Sequence, residues 1–104
     1  MRQIKHPNIE QVELTDIMYA LADPTRLEIV SLLANAGRRM TCGELDLNRP
    51  KSSMSHHFKI LRSAGLVETV VEGTEHMNSL RYEEIERKYP GVLHAVLKAT
   101  STKV

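Results

Sequence analysis

The sequence predicts a mainly α domain with a small β-hairpin, its elements running α-α-α-α-β-β-α. Three observations carry this reading. Apolar residues recur at a helical period up to Gly65, helix start and stop signals punctuate them, and a β-branched run broken by a glycine-containing turn follows.

The elements follow in order. Asn8 with Gln11 three residues on reads as a helix start, and Val12, Ile17, Met18 and Leu21 keep a 3.6-residue period to Ala22. Asp23-Pro24 opens a second helix, because an N-cap carboxylate followed by proline at the first helical position leaves no amide wasted. Leu27, Ile29, Val30, Leu32 and Leu33 predict an almost wholly buried helix, and Gly37 closes it. Thr41 and Glu44 form a capping-box pattern that predicts a short third helix ending near Leu47. Asn48-Arg49-Pro50 is turn chemistry, and Ser52 is placed to cap a fourth helix running to Gly65. From Leu66 to Val71 the chain is rich in β-branched residues, residues 72–75 read as a turn, and a second extended run reaches Tyr82. Glu83 to Lys88 suits a helical turn or two. Pro90 then opens a last helix with Val92, Leu93, Val96 and Leu97 on one side, and a frayed tail is expected from Thr100 to Val104.

Composition narrows the class of protein. At 104 residues the chain fits a single domain over 1–104, thin enough in its core for a subunit interface to add useful buried area. The single cysteine, Cys42, excludes an intramolecular disulfide and fits a reducing cytoplasm. The N-terminus lacks the apolar stretch of an export signal, and no run approaches the roughly 18 apolar residues of a membrane span, so no membrane partner is expected. Net charge is only +1. Its distribution is more telling: residues 47–67 carry Arg49, Lys51, Lys59 and Arg62 with no acid, against ten basic and thirteen acidic residues elsewhere. A basic face on an otherwise acidic domain points that face at a polyanion.

Three helices, a short turn before a capped fourth, and a hairpin make the order of a winged helix-turn-helix, whose second motif helix enters the major groove of DNA. The fourth helix suits that role. At about 100° per residue, Met54, Phe58, Leu61 and Gly65 share one sector, with His57 at its edge. Ser52, His56, Lys59 and Ser63 lie opposite, flanked by Ser53, Ser55 and Arg62. Small hydroxyls allow close approach to base edges, and the cations supply phosphate contacts. On the wing, Glu68, Glu72 and Glu75 oppose anion binding, leaving Asn78 and Arg81 as its better candidates; His76, near the turn, is placed either for a phosphate or for solvent.

Three blocks in order, ALADPTRLEIVSLL (20–33), SSMSHHFKILRSAGLV (52–67) and EGTEHMNSLR (72–81), together resemble the ArsR family of bacterial repressors over nearly the whole chain. The resemblance implies a helix-turn-helix at about 42–65, a wing at about 66–82, and a homodimer held by terminal helices at about 9–22 and 90–99. Interface residues would then be Ile17, Met18, Leu21, Val92, Leu93, Val96 and Leu97. It further implies binding to double-stranded operator DNA and release by a small-molecule or redox inducer whose identity the sequence does not encode.

Metal sensing, common in that family, is not expected here. One family site uses Cys-Val-Cys on the third helix, and those cysteine positions fall on Thr41 and Gly43, with Cys42 between them. A second, across paired last helices, uses an Asp-x-His and a later His followed closely by His or Glu, and this chain offers only His94. One imidazole is not a metal site. No cofactor is expected. Cys42 lies where the first turn of the third helix would lower a thiol pKa, so a thiol-based redox sensor is an alternative to a simple packing role. A winged-helix module that binds another protein is the other alternative, opposed by the basic fourth helix. Catalysis has no support: the chain lacks a glycine-rich phosphate loop, a nucleophile elbow and paired metal ligands.

Overall fold

The computed structural model describes residues 4–101. Its elements are a 3-10 turn (Ile9–Gln11), α1 (Leu14–Leu21), α2 (Pro24–Ala36), β1 (Met40–Thr41), α3 (Lys51–Ser63), β2 (Val67–Glu72), β3 (Glu75–Leu80), α4 (Tyr82–Lys88) and α5 (Val92–Ser101). The strands form a three-stranded antiparallel sheet in the order β1-β3-β2, with α2 contacting β3 and α3 contacting β2.

The first helix begins later than its period suggests. Asn8 does cap a turn, its side chain accepting from the Glu10 amide at 3.0 Å, but that turn is 3-10 and ends at an extended Val12. The carbonyls that a continuous helix would have used are taken from across the molecule. Lys88 Nζ donates to Ile9, Glu10 and Val12 oxygens at 3.1, 2.7 and 2.7 Å, and the Tyr89 hydroxyl donates to Val12 O at 2.7 Å. Val12 itself turns into the core against Gly65.

Helix α2 starts as expected: the Asp23 carboxylate accepts from the Thr25 and Arg26 amides at 2.9 and 3.1 Å, with Pro24 in the first turn, and Gly37 closes it in the left-handed region at φ 63°. Ile29, Val30 and Leu33 are buried and Leu27 and Leu32 are half-buried against the core, but Glu28 and Asn35 are exposed, so the helix is buried on one side only and not almost throughout. The third helix is absent. Its capping box forms, with the Thr41 amide donating to Glu44 Oε1 at 2.8 Å and the Glu44 amide to Thr41 Oγ1 at 3.1 Å, yet only a turn at residues 42–45 follows. The flanks explain this. Met40–Thr41 is committed to the sheet opposite Asn78 and Met77, and Leu47 and Asn48 are left-handed at φ 52° and 57°, so too few residues remain to offset helix nucleation.

Helix α3, the fourth helix of the sequence reading, begins at Lys51 after Pro50, which places Ser52 inside the first turn instead of at the cap. Met54, Phe58 and Leu61 are buried. Beyond it Gly65 sits at φ 77°, where a Cβ would stand 2.6 Å from Val12 Cγ2, so glycine is required both for the turn and for the close approach. The hairpin pairs Val67 with Leu80 through Glu72 with Glu75, which makes its turn the two residues Gly73-Thr74, shorter than the four-residue turn expected. Glu86 caps the last helix from α4, its carboxylate accepting from the Gly91 and His94 amides at 2.9 and 3.0 Å. Of the tail expected to fray, Thr100 and Ser101 belong to α5, and residues 102–104 lie outside the described residues. Among the described residues no helix is long and apolar enough to cross a membrane.

Candidate nucleic-acid interface

Helix α3 divides as its period requires. Lys51, Ser52, Ser53, Ser55, His56, Lys59 and Ser63 are exposed along one face, Arg62 is half-buried, and Arg49 is exposed on the loop before it. The opposite face is anchored in the core by Met54, Phe58 and Leu61. A surface of hydroxyls and cations carried on a rigid helix can approach a polyanion closely and neutralise phosphates.

His57 stands at the boundary of the two faces. Its Nδ1 lies 3.1 Å from Arg26 Nη1 and 3.8 Å from Asp23 Oδ2, both at the start of α2. Burial pushes its pKa below the ordinary histidine value, the Asp23 carboxylate pulls it the other way, and the Arg26 guanidinium adds to the lowering. Arg26 is the feature that sequence reasoning missed. The signal was an arginine one turn before the buried Ile29 and Val30; its partners lie on α1 and α3.

The wing departs from expectation. Asn78 is fully buried: its Oδ1 accepts from the Thr69 hydroxyl at 2.7 Å, while its Nδ2 donates to Met40 O at 3.2 Å and lies 3.3 Å from Cys42 Sγ. It holds the sheet together and does not face solvent, which corrects its assignment to DNA. Arg81 is likewise committed, with Nε and Nη2 donating to the Glu84 carboxylate at 2.9 and 3.1 Å and Nη1 to Pro7 O at 3.0 Å. The wing tip, Glu72, Gly73, Thr74, Glu75 and His76, is exposed, as are Glu68 and Val70 on β2, and Arg39 pairs with Glu72 at 2.7 Å. Wing and helix therefore present unlike surfaces.

The expected subunit contacts also divide. Ile17, Leu21 and Leu93 are buried in the chain's own core, so they are not available to a partner. Met18 is 50% exposed and Val92, Val96 and Leu97 are half-buried, and Leu14 and Tyr19 add further exposed apolar area on α1.

Cys42 is half-buried, in a turn and not in the first turn of a helix, so the helix-dipole argument for its reactivity does not hold. Among the described residues no group of three or more His, Cys, Asp and Glu is arranged to hold a metal ion. His94 has its Nδ1 3.5 Å from the Tyr82 hydroxyl.

A core-anchored polar helix followed by a two-stranded wing defines a winged helix-turn-helix, a DNA-binding architecture. A family model described as a helix-turn-helix domain matches residues 21–70. The chain is 45% identical over 60 residues to the uncharacterized HTH-type transcriptional regulator MJ1325 of Methanocaldococcus jannaschii, covering 57% of this chain and 67% of the relative. It is 37% identical over 75 residues to the arsenical resistance operon repressor of Staphylococcus xylosus, covering 71% of each chain. The crystal structure of the ArsR family transcriptional regulator RHA00566 shares the fold, with a TM-score of 0.65 at 23% identity over 95% of this chain and 100% of that one. The chain belongs to the ArsR family of winged helix-turn-helix transcriptional repressors, which are DNA-binding regulators and not enzymes.

Proposed function

We propose that this regulator reads operator DNA through the exposed face of α3, acting as a homodimer in the cytoplasm. The observation that carries the assignment is the division of α3 into a buried apolar face and an exposed acid-free face of hydroxyls and cations. Arg49, Lys51, Lys59 and Arg62 serve phosphates, which supply most of the affinity and its salt dependence. Ser52, Ser53, Ser55 and His56 are the base-edge candidates. With Asn78 and Arg81 occupied internally and Glu72 and Glu75 at the wing tip, the wing contributes little to phosphate binding.

Leu14 and Met18, one turn apart on α1, with Val92, Val96 and Leu97 on α5, supply the subunit contact. A two-fold dimer would present two α3 helices to half-sites one helical turn apart or a multiple of it. Fluorescence anisotropy with the protein's own upstream duplex and a random duplex tests the assignment. His56→Ala combined with Lys59→Ala should stay folded, lower affinity for both duplexes, and reduce the salt slope by about 1. A folded double variant with wild-type affinity and salt slope would remove α3 as the reader.

A further inference from the structure

At the end of α1, Tyr19 O accepts from the Ala22 amide at 3.2 Å, whereas Ala20 O has no later amide of its own helix to accept from. Arg26 donates to both. Its side chain, 7% exposed, donates from Nε to Ala20 O at 2.7 Å and from Nη2 to Tyr19 O at 3.3 Å, with the guanidinium 5.4 Å from the Tyr19 ring centre. Its third nitrogen, Nη1, stands 3.1 Å from Nδ1 of His57 on α3. A guanidinium only donates, so Nδ1 accepts, and His57 is held as the neutral ring with its proton on Nε2. One planar group thus joins the end of α1 to the inner edge of α3, where Asp16 and Tyr19 share a 300 Å³ groove with His56 and Lys59.

We propose that Arg26 is a positioning residue for DNA recognition, fixing the orientation of α3 relative to α1 by clamping neutral His57. The inference rests on α3 being the DNA reader. Two carbonyls alone would need only two donors; the third bond is directed to the helix that must be held at a set angle in the groove. The rigid fork matters, because an ammonium in the same place has no fixed plane with which to serve both helices.

The clamp has an alternative arrangement. The charged and titratable groups around His57 are Asp23 and Arg26 of α2, His56 on its own helix with ring centroids 6.0 Å apart, and Arg49 on the preceding loop. A protonated His57 carries N–H at Nδ1, can no longer accept from Arg26, and is drawn toward Asp23 Oδ2, already 3.8 Å away. Acidification therefore releases the clamp. His56 lies on the exposed, DNA-facing side of the same helix, so the His57 contribution is isolated by substitution.

The test uses the full chain carrying His57→Ala, His57→Asn or Arg26→Lys, titrated by anisotropy against the upstream and random duplexes at several salt concentrations, with thermal melts alongside. His57→Ala is expected to stay folded yet lose about tenfold on the upstream duplex, the scale of coupling through a positioned residue, with random-duplex affinity and salt slope unchanged. His57→Asn keeps an acceptor near the Nδ1 position without titrating, so it should restore most of the affinity near neutrality. Relative to wild type it should also lose less affinity as the pH is lowered past the depressed pKa of His57. Arg26→Lys should resemble His57→Ala; if it fails to fold, the two His57 variants decide. Wild-type discrimination by folded His57→Ala would overturn the proposal, as would equal losses on both duplexes that track the melting temperature. Weakened binding by Lys59→Ala alongside normal binding by His57→Ala would leave α3 as the reader and remove only the clamp. A wild-type protein unable to distinguish the two duplexes would remove the α3 assignment and the clamp with it.

Discussion

The Thr69 hydroxyl donates to Asn78 Oδ1 at 2.7 Å across a directly opposed pair of β2 and β3, and Asn78 passes the connection on to Met40 O of β1. One buried amide thereby joins all three strands. Asn78→Ala would leave the Thr69 hydroxyl and the Met40 carbonyl without this partner, at a cost of about 1–3 kcal/mol. The expected result is a melting temperature lowered by several degrees, with DNA affinity of the folded protein unchanged when measured in the cold. An affinity loss without a stability loss would return Asn78 to the DNA face.

Gly65 and Gly73 are both left-handed, at φ 77° and 64°, but only Gly65 is crowded. Gly73→Ala meets nothing within 4 Å and should cost about 1 kcal/mol from backbone strain alone. Gly65→Ala adds a collision with the Val12 side chain and should cost markedly more, about 2–4 kcal/mol in total. Denaturant midpoints of the two variants give the comparison; equal costs would mean that Val12 moves aside freely.

Two half-buried histidines make stability depend on pH. His6 Nε2 accepts from the Thr69 amide at 2.9 Å; burial pushes its pKa down, Glu68 opposes, and Arg81 and Arg62 lower it further. His57 is lowered by burial first as well. Both groups bind protons less readily folded than unfolded, so the unfolded chain gains protons first as pH falls. Stability should decline from about pH 7 through the ordinary histidine range near 6.5 and level off below the two folded pKa values. His6→Gln should make that decline shallower in melts across the range; an unchanged slope would mean that His6 contributes none of it.

Met18 on α1 and Leu93 on α5 separate the proposed subunit contact from the core. Met18→Glu changes a side chain that is 50% exposed, whereas Leu93→Glu puts a carboxylate into a fully buried site. Met18→Glu should give folded monomers by light scattering with melting of the isolated chain preserved, and Leu93→Glu should unfold the chain because a buried unpaired charge is not tolerated. Folded dimers from Met18→Glu would place the subunit contact elsewhere.

What the sequence determined by itself is what local chemistry specifies: the Asp23-Pro24 start of α2, the two faces of α3, the glycine that ends it, and the hairpin. Each follows from residues within a few positions of one another, through period, capping and turn preference. Tertiary structure decided where those signals competed with distant partners. The first helix breaks at Val12 because Lys88 and Tyr89, more than seventy residues away, hold the Ile9, Glu10 and Val12 carbonyls. The Thr41–Glu44 box forms without its helix because β3 holds Met40 and Thr41 in a strand too short to show a period. Asn78 and Arg81 look like ligands in one dimension and are spent on Thr69, Met40, Glu84 and Pro7 in three. Arg26 meets His57 only after α2 and α3 pack, since chain closure brings together polar groups that no local pattern can pair.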